Sequence, residues 1–215
     1  MKRALAGGLL VGFATVALAS LAGAATQPST TYVDKHGGYR ITIPTKWETI
    51  PRSATQIKQM IATLKKKKTT LDLADAYASI LASQAGRTGL TGYVFQAFDW
   101  PQSPDTPIFT EVSVGITSSK KALTDKDLPA IGATYANALA SNTGSKIRVP
   151  KIVTLPSGKA EYIIGTIPAG SYTNGVELYL IPHGKKLYTL AFQIDARALA
   201  SAKLFTSIAQ LFRIT

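Results

Sequence analysis

Gly38-Tyr39-Arg40-Ile41-Thr42-Ile43-Pro44-Thr45-Lys46-Trp47 is the stretch that decides how this chain folds. Tyr39, Ile41 and Ile43 alternate with Arg40 and Thr42, the period-two pattern of a strand with one face buried. Pro44 has no N–H to add to a ladder and ends the strand. Trp47 then falls at a position expected to be buried. Upstream, Lys35-His36-Gly37-Gly38 has turn chemistry and leads back to a short strand at Tyr32-Val33-Asp34. The opening is therefore a hairpin running into a core tryptophan.

The same alternation and punctuation recur in the C-terminal third. Strands are expected over 147–155, 160–167, 175–181 and 186–194, the first interrupted at Pro150. Their separators are Pro156-Ser157-Gly158, Ala169-Gly170 and Pro182-His183-Gly184-Lys185. The last makes a hairpin that joins Leu178 and Leu180 to Leu187, Tyr188 and Leu190. A final helix over 196–212 places Leu199, Leu204, Ile208, Leu211 and Phe212 toward the core.

Between these ends, Ser53 caps an expected helix over 54–65 with Ile57, Met60, Ile61 and Leu64 on one face. A second helix over 70–81 carries Leu73, Ala74, Tyr77, Ile80 and Leu81. Strands come next over 93–98 and 109–116, separated by a loop over 100–107 that holds three prolines. Thr124 or Asp125 opens a helix bearing Leu128, Ile131, Tyr135 and Leu139. No internal repeat and no break in composition divides the chain. Strands in the middle and end, with helices at the edges, give an α+β fold: an antiparallel sheet covered by helices.

The N-terminus has another purpose. Met1-Lys2-Arg3 is followed by uncharged residues from Ala4 to Ala25, with Leu9 to Leu21 apolar and Ala22-Gly23-Ala24 small. That is the layout of a secretory signal peptide, cleaved after Ala24 or Ala25. An uncleaved anchor is the alternative, although the stretch is rich in Ala and Gly for a stable span. The expected organisation is a signal peptide over 1–25, a polar tether over 26–31 and one domain over 32–215. The chain has no cysteine, which excludes lipidation at a new N-terminal thiol, disulfides and thiolate metal sites. In an exported protein this fits a bacterial envelope.

The formal charge is +12, and removal of Lys2 and Arg3 leaves 22 basic against 12 acidic residues, a charge of +10. Such an excess favours anionic surfaces, or serves only to keep the protein soluble. Lys65, Lys66, Lys67 and Lys68 form the sharpest run, with further pairs at Lys120 and Lys121 and at Lys185 and Lys186. These eight are the candidate contacts to a membrane surface or anionic polymer. They equally suit a solvated helix end and turns. No aromatic interleaving of the kind that stacks bases accompanies them, so no nucleic-acid partner is expected.

The opening from Gly38 to Trp47 also resembles the "[FY]-s-[ILV]-x-[ILV]-P-x-x-W" start of PsbP-like domains. Leu178-Tyr179-Leu180-Ile181 with Gly184-Lys185-Lys186-Leu187-Tyr188-Thr189-Leu190 resembles the hairpin that closes them, and Ile208-Ala209-Gln210-Leu211-Phe212 their terminal stretch. The group includes the photosystem II extrinsic protein PsbP, the Ran-binding Mog protein and exported bacterial proteins of the LpqN type. The resemblance implies an α/β/α sandwich around an antiparallel sheet, and a binding or assembly protein rather than an enzyme. Its motifs are structural and carry no catalytic residues.

Signals for chemistry are sparse. His36 and His183 sit in turns beside glycine, with no metal-ligand spacing around them, so no metal and no cofactor are expected. There is no G-x-S-x-G elbow and no phosphate-cradling Gly-rich loop. Asp72, Asp75, Asp125 and Asp127 fall where carboxylates favour a helix dipole. Trp100 and Phe109, flanking the Pro-rich loop, are the candidate ligand or partner contacts. Two functions remain: a non-catalytic binding or accessory protein of the envelope, or a secreted hydrolase whose acid and base converge only in the fold.

Overall fold

A computed structural model describes residues 28–50, 59, 62, 93–99 and 110–215 of the chain. Strand β1 (Ser29–Asp34) pairs antiparallel with β2 (Tyr39–Pro44), Tyr32 opposite Ile41. As the alternation requires, Tyr39, Ile41 and Ile43 are buried, and so is Trp47. The turn between them closes because the Asp34 carboxylate accepts from Gly37 N at 2.8 Å and Gly38 takes a φ of +76°. One boundary differs from expectation: β1 starts at Ser29, so 29–31 is paired strand rather than tether. Cross-strand hydroxyl pairs, Thr31 with Thr42 at 2.8 Å and Thr30 with Thr45 at 3.1 Å, hold this polar stretch in the ladder.

The larger sheet has eight strands: β3 (Glu48–Thr49), β4 (Tyr93–Asp99), β5 (Thr110–Ser118), β6 (Lys146–Ile147), β7 (Lys151–Leu155), β8 (Gly158–Ala169), β9 (Tyr172–His183) and β10 (Lys186–Asp195). Their spatial order is β3-β4-β5-β10-β9-β8-β6, with β7 also on β8, and every pairing is antiparallel. The expected strand over 147–155 is split into β6 and β7 around Pro150, which cannot donate to a ladder. The β9–β10 hairpin lies at the centre, as its apolar density demands. A short β11 (Arg213–Ile214) joins β2, making a second sheet of β1, β2 and β11.

Each face of the large sheet buries its own core. Alternate residues of β9 divide cleanly: Val176, Leu178 and Leu180 pack with Ile163 and Leu187 under helix α1 (Leu128–Ala140). Tyr179 and Ile181 point the other way, with Tyr188, Leu190 and Phe192, toward the small sheet and helix α2 (Lys203–Leu211). The result is the expected α+β sandwich, with a small sheet sharing one of its outer layers. Of the helix expected over 54–65, Gln59 and Ala62 are helical. The rest of it, the helix over 70–81 and the loop over 100–107 lie outside the described residues.

The C-terminal helix is shorter than expected. Asp195 caps a 3-10 turn (Ala196–Ser201), accepting from Arg197 N at 2.9 Å, and α2 begins only at Lys203. Three residues per turn in place of 3.6 shift the phase of the helix downstream. Phe205, Ile208, Ala209 and Phe212 therefore face the core, whereas Leu211, expected inside, is 48% exposed.

Helix α1 approaches β8 closely enough to require a glycine. A Cβ at Gly132 would overlap Glu161 Cγ. Overpacking of this kind costs about 1–3 kcal/mol, more than the roughly 1 kcal/mol that alanine offers over glycine in a helix. Gly132→Ala is expected to destabilise the protein in urea melts. In a Glu161→Ala background the same change should become neutral or stabilising, and an unchanged cost there would refute the contact.

Candidate functional site

Two places on the described surface gather functional side chains: one end of the sheet, and a cleft on the α2 face. At the end, antiparallel register brings four segments together. Lys186 lies opposite Ser118, Ser119 N donates to Lys185 O at 2.7 Å, and Leu123 N donates to Gly184 O at 2.7 Å. The β1–β2 turn joins them: Gly37 O accepts from the buried Tyr188 hydroxyl at 2.9 Å and from Lys186 Nζ at 3.2 Å. Thr215 N donates to Gly38 O at 2.9 Å, adding the C-terminus.

The expected lysine pairs thus meet, 120–121 beside 185–186, with Lys35 in the neighbouring turn. Their roles are unequal. Lys120, Lys185 and Lys35 are exposed, whereas Lys186 is half-buried and occupied by the Gly37 carbonyl. Lys121 Nζ stands 3.8 Å from Asp127, and nearby Lys159 pairs with Asp125 at 3.3 Å. Asp127 itself accepts from Thr124 N at 2.8 Å and Thr124 Oγ1 at 2.9 Å, which hold its carboxyl below the usual range. His36 and His183 also reach this end, yet no group of three or more His, Asp or Glu with metal-holding geometry exists among the described residues. Lys65, Lys66, Lys67, Lys68, Trp100 and Phe109 lie outside those residues.

The cleft has no counterpart among the sequence expectations. It encloses about 520 Å³ between the sheet and the start of α2. Tyr162 and Ile164 of β8 with Glu177 of β9 form its floor, Leu199 and Thr206 overhang it, and Arg148 and Lys203 stand at its margin. Glu177 is 4% exposed and sits inside the apolar run Val176-Glu177-Leu178-Tyr179-Leu180. A carboxylate in the middle of a strand buried on both faces was the one available signal, since such groups need partners.

Here the partners are phenols. Both Tyr162 and Tyr179 donate to Glu177, Tyr179 at 3.5 Å, and Thr206 donates to Tyr179 in turn. Burial, with the Glu177 charge behind it, pushes the Tyr179 hydroxyl up to about 12 and Tyr162 further still. Burial also raises Glu177, against the opposing pull of the two phenol bonds. The cleft holds one carboxylate and no serine or histidine in its lining.

A carboxyl whose pKa is raised by folding binds its proton more tightly in the native state. Its stabilisation is complete below the ordinary glutamate value of about 4.3 and is lost as pH rises through the folded value. Glu161, buried under α1 with no partner found for Oε2 among the described residues, and Glu111 are raised by burial in the same sense. From about pH 4 to about pH 7, the wild type should lose stability relative to Glu177→Gln, read as a drop in denaturation midpoint. A pH-independent difference would contradict this environment.

No protein-family model matches this chain, and no curated protein matches it in sequence. Solved structures do. The chain is similar to the solution structure of cyanobacterial PsbP (CyanoP) from Synechocystis sp. PCC 6803, with a TM-score of 0.54 and 14% identity, over 92% of this chain and 99% of that one. It is similar to LpqN, involved in cell envelope biogenesis of Mycobacterium tuberculosis, with a TM-score of 0.47 and 11% identity over 88% of this chain and 87% of that one. A protein from Bacteroides thetaiotaomicron VPI-5482 is similar as well, with a TM-score of 0.46 and 8% identity over 86% of this chain and 48% of that one. The CyanoP match covers nearly the whole of both chains. The chain has a PsbP-like α+β fold.

Proposed function

We propose that this chain is an exported, non-catalytic accessory protein of the bacterial envelope that docks the basic end of its sheet onto anionic phosphate groups. The observation that carries this reading is the convergence of Lys35, Lys120 and Lys185, all exposed, on one end of the fold. Lys126 adds a fourth exposed cation beside them. The acids nearby are engaged: Asp34 caps its own turn, Asp125 pairs with Lys159, and Asp127 is held by Thr124. The end thus offers open cations whose neighbouring aspartates are already engaged, with the Thr215 carboxylate the remaining negative group beside them. The charged leader and the absence of cysteine support the compartment.

Each lysine near an anionic surface contributes about 1 kcal/mol. Three together amount to roughly 100-fold in affinity. The chain lacking residues 1–25 is expected to sediment with phosphatidylglycerol vesicles at low salt and to be released at high salt. Changing Lys35, Lys120 and Lys185 together to Gln should weaken retention by roughly that factor. A parallel arm with a purified phosphate-bearing wall polymer distinguishes lipid headgroups from wall. Absence of retention at low salt on both materials would end the proposal, as would retention that ignores salt.

A further inference from the structure

The cleft on the α2 face lies apart from the basic end, and docking at that end leaves it unused. Its volume of about 520 Å³ is within the range of small-molecule sites, roughly 300–1,000 Å³. Three of its properties restrict what it can hold. The first is charge at the margin. Arg148 and Lys203 are exposed, and neither has an ion-pair partner among the described residues. Two open cations beside one cleft oppose entry of a cation and favour an anion.

The second property is the floor. Thr206, Tyr179, Glu177 and Tyr162 form a continuous chain of hydrogen bonds, with Arg148 close enough to Tyr162 for its charge to act on that phenol. Two phenols take up only part of the carboxylate's capacity, since its two oxygens offer about four acceptor sites. Glu177 therefore has room for a further donor. A simple carboxylate or an apolar acid brings none, but a hydroxyl group does. The third property is the wall, where Ile164 and Leu199 offer aliphatic surface to C–H groups. An ordinary hydrocarbon tail would offer the floor's remaining acceptor sites no donor.

Taken together, we infer that this cleft binds a small polyhydroxylated anion of the acidic-sugar type. The anionic group pairs with Arg148 and Lys203, the hydroxyls reach Glu177 and its phenols, and the ring's C–H face rests on Ile164 and Leu199. Arg148 suits the role because a planar guanidinium engages a carboxylate through two parallel bonds. Glu177 is here a binding residue, and no bond of the ligand is made or broken.

The test uses the chain lacking residues 1–25 and glucuronate as probe, followed by NMR of the Ile164 and Leu199 methyls and the Lys203 and Thr206 amides. Glucose carries the hydroxyls without the charge, hexanoate the charge without the hydroxyls, and glucosamine the opposite charge. Glucuronate is expected to give saturable shifts confined to the cleft, at least about tenfold tighter than any of the other three. Arg148→Gln with Lys203→Gln, both at exposed positions, should bring glucuronate down to the glucose level. Glu177→Gln should remove its advantage over hexanoate while the fold, judged by unchanged shifts in β10, is retained. Hexanoate or glucosamine binding as tightly as glucuronate would overturn the assignment. So would the absence of saturable shifts in the cleft.

Discussion

The buried hydroxyl of Tyr188 is the tie on which the arrangement of layers depends. It donates to Gly37 O at 2.9 Å, and its ring lies edge-on to Tyr39 and Phe212, at centroid distances of 6.5 Å and 6.4 Å. Tyr188 belongs to the central strand of the large sheet, Tyr39 to the small one, and Phe212 to the end of α2. One residue therefore clamps three elements. An unpartnered carbonyl or phenol in that position would cost about 1–3 kcal/mol, so the clamp has a preferred geometry as well as a hydrophobic one. Lys186 Nζ on the same carbonyl and Thr215 N on Gly38 O reinforce it. Because the clamp sits beside the β9–β10 turn, the same contacts that hold the layers together also assemble the basic end.

Acids are handled differently from the surface cations. In a strongly basic chain, Glu111, Glu161 and Glu177 are placed within the large sheet, and burial raises the pKa of each. Their settings differ. Glu111 accepts from Gln96 at 3.1 Å and Ser113 at 2.8 Å, Glu177 has two phenols, and Glu161 has the gap left by Gly132. Only Glu177 opens onto the cleft.

Much of the fold was legible in the chain because its signals are local. The alternation at Tyr39, Ile41 and Ile43, the break at Pro150 and the Gly184-Lys185 turn each act over a few residues, and each appears where expected. The start of α2 was not legible, since a 3-10 turn capped by Asp195 has almost the same composition as a helix; Ile208 and Phe212 are buried as expected, whereas Leu211 is not. The convergence of Lys120 and Lys121 with Lys185 and Lys186 needed the β5–β10 register, which no spacing reveals. The cleft was the least legible feature. Arg148, Tyr162, Glu177 and Lys203 are scattered through the last third of the chain, and only sheet pairing and the late start of α2 bring them together.

Whether the basic end is the face presented to an anionic surface can be read directly by hydrogen exchange. The chain lacking residues 1–25 would be compared with and without phosphatidylglycerol vesicles at low salt. Slower exchange is expected in the turns over 35–38, 119–123 and 183–186, with α1 and the β6–β7 edge unchanged. Protection centred on α1 or on that edge, or no protection anywhere, would contradict it.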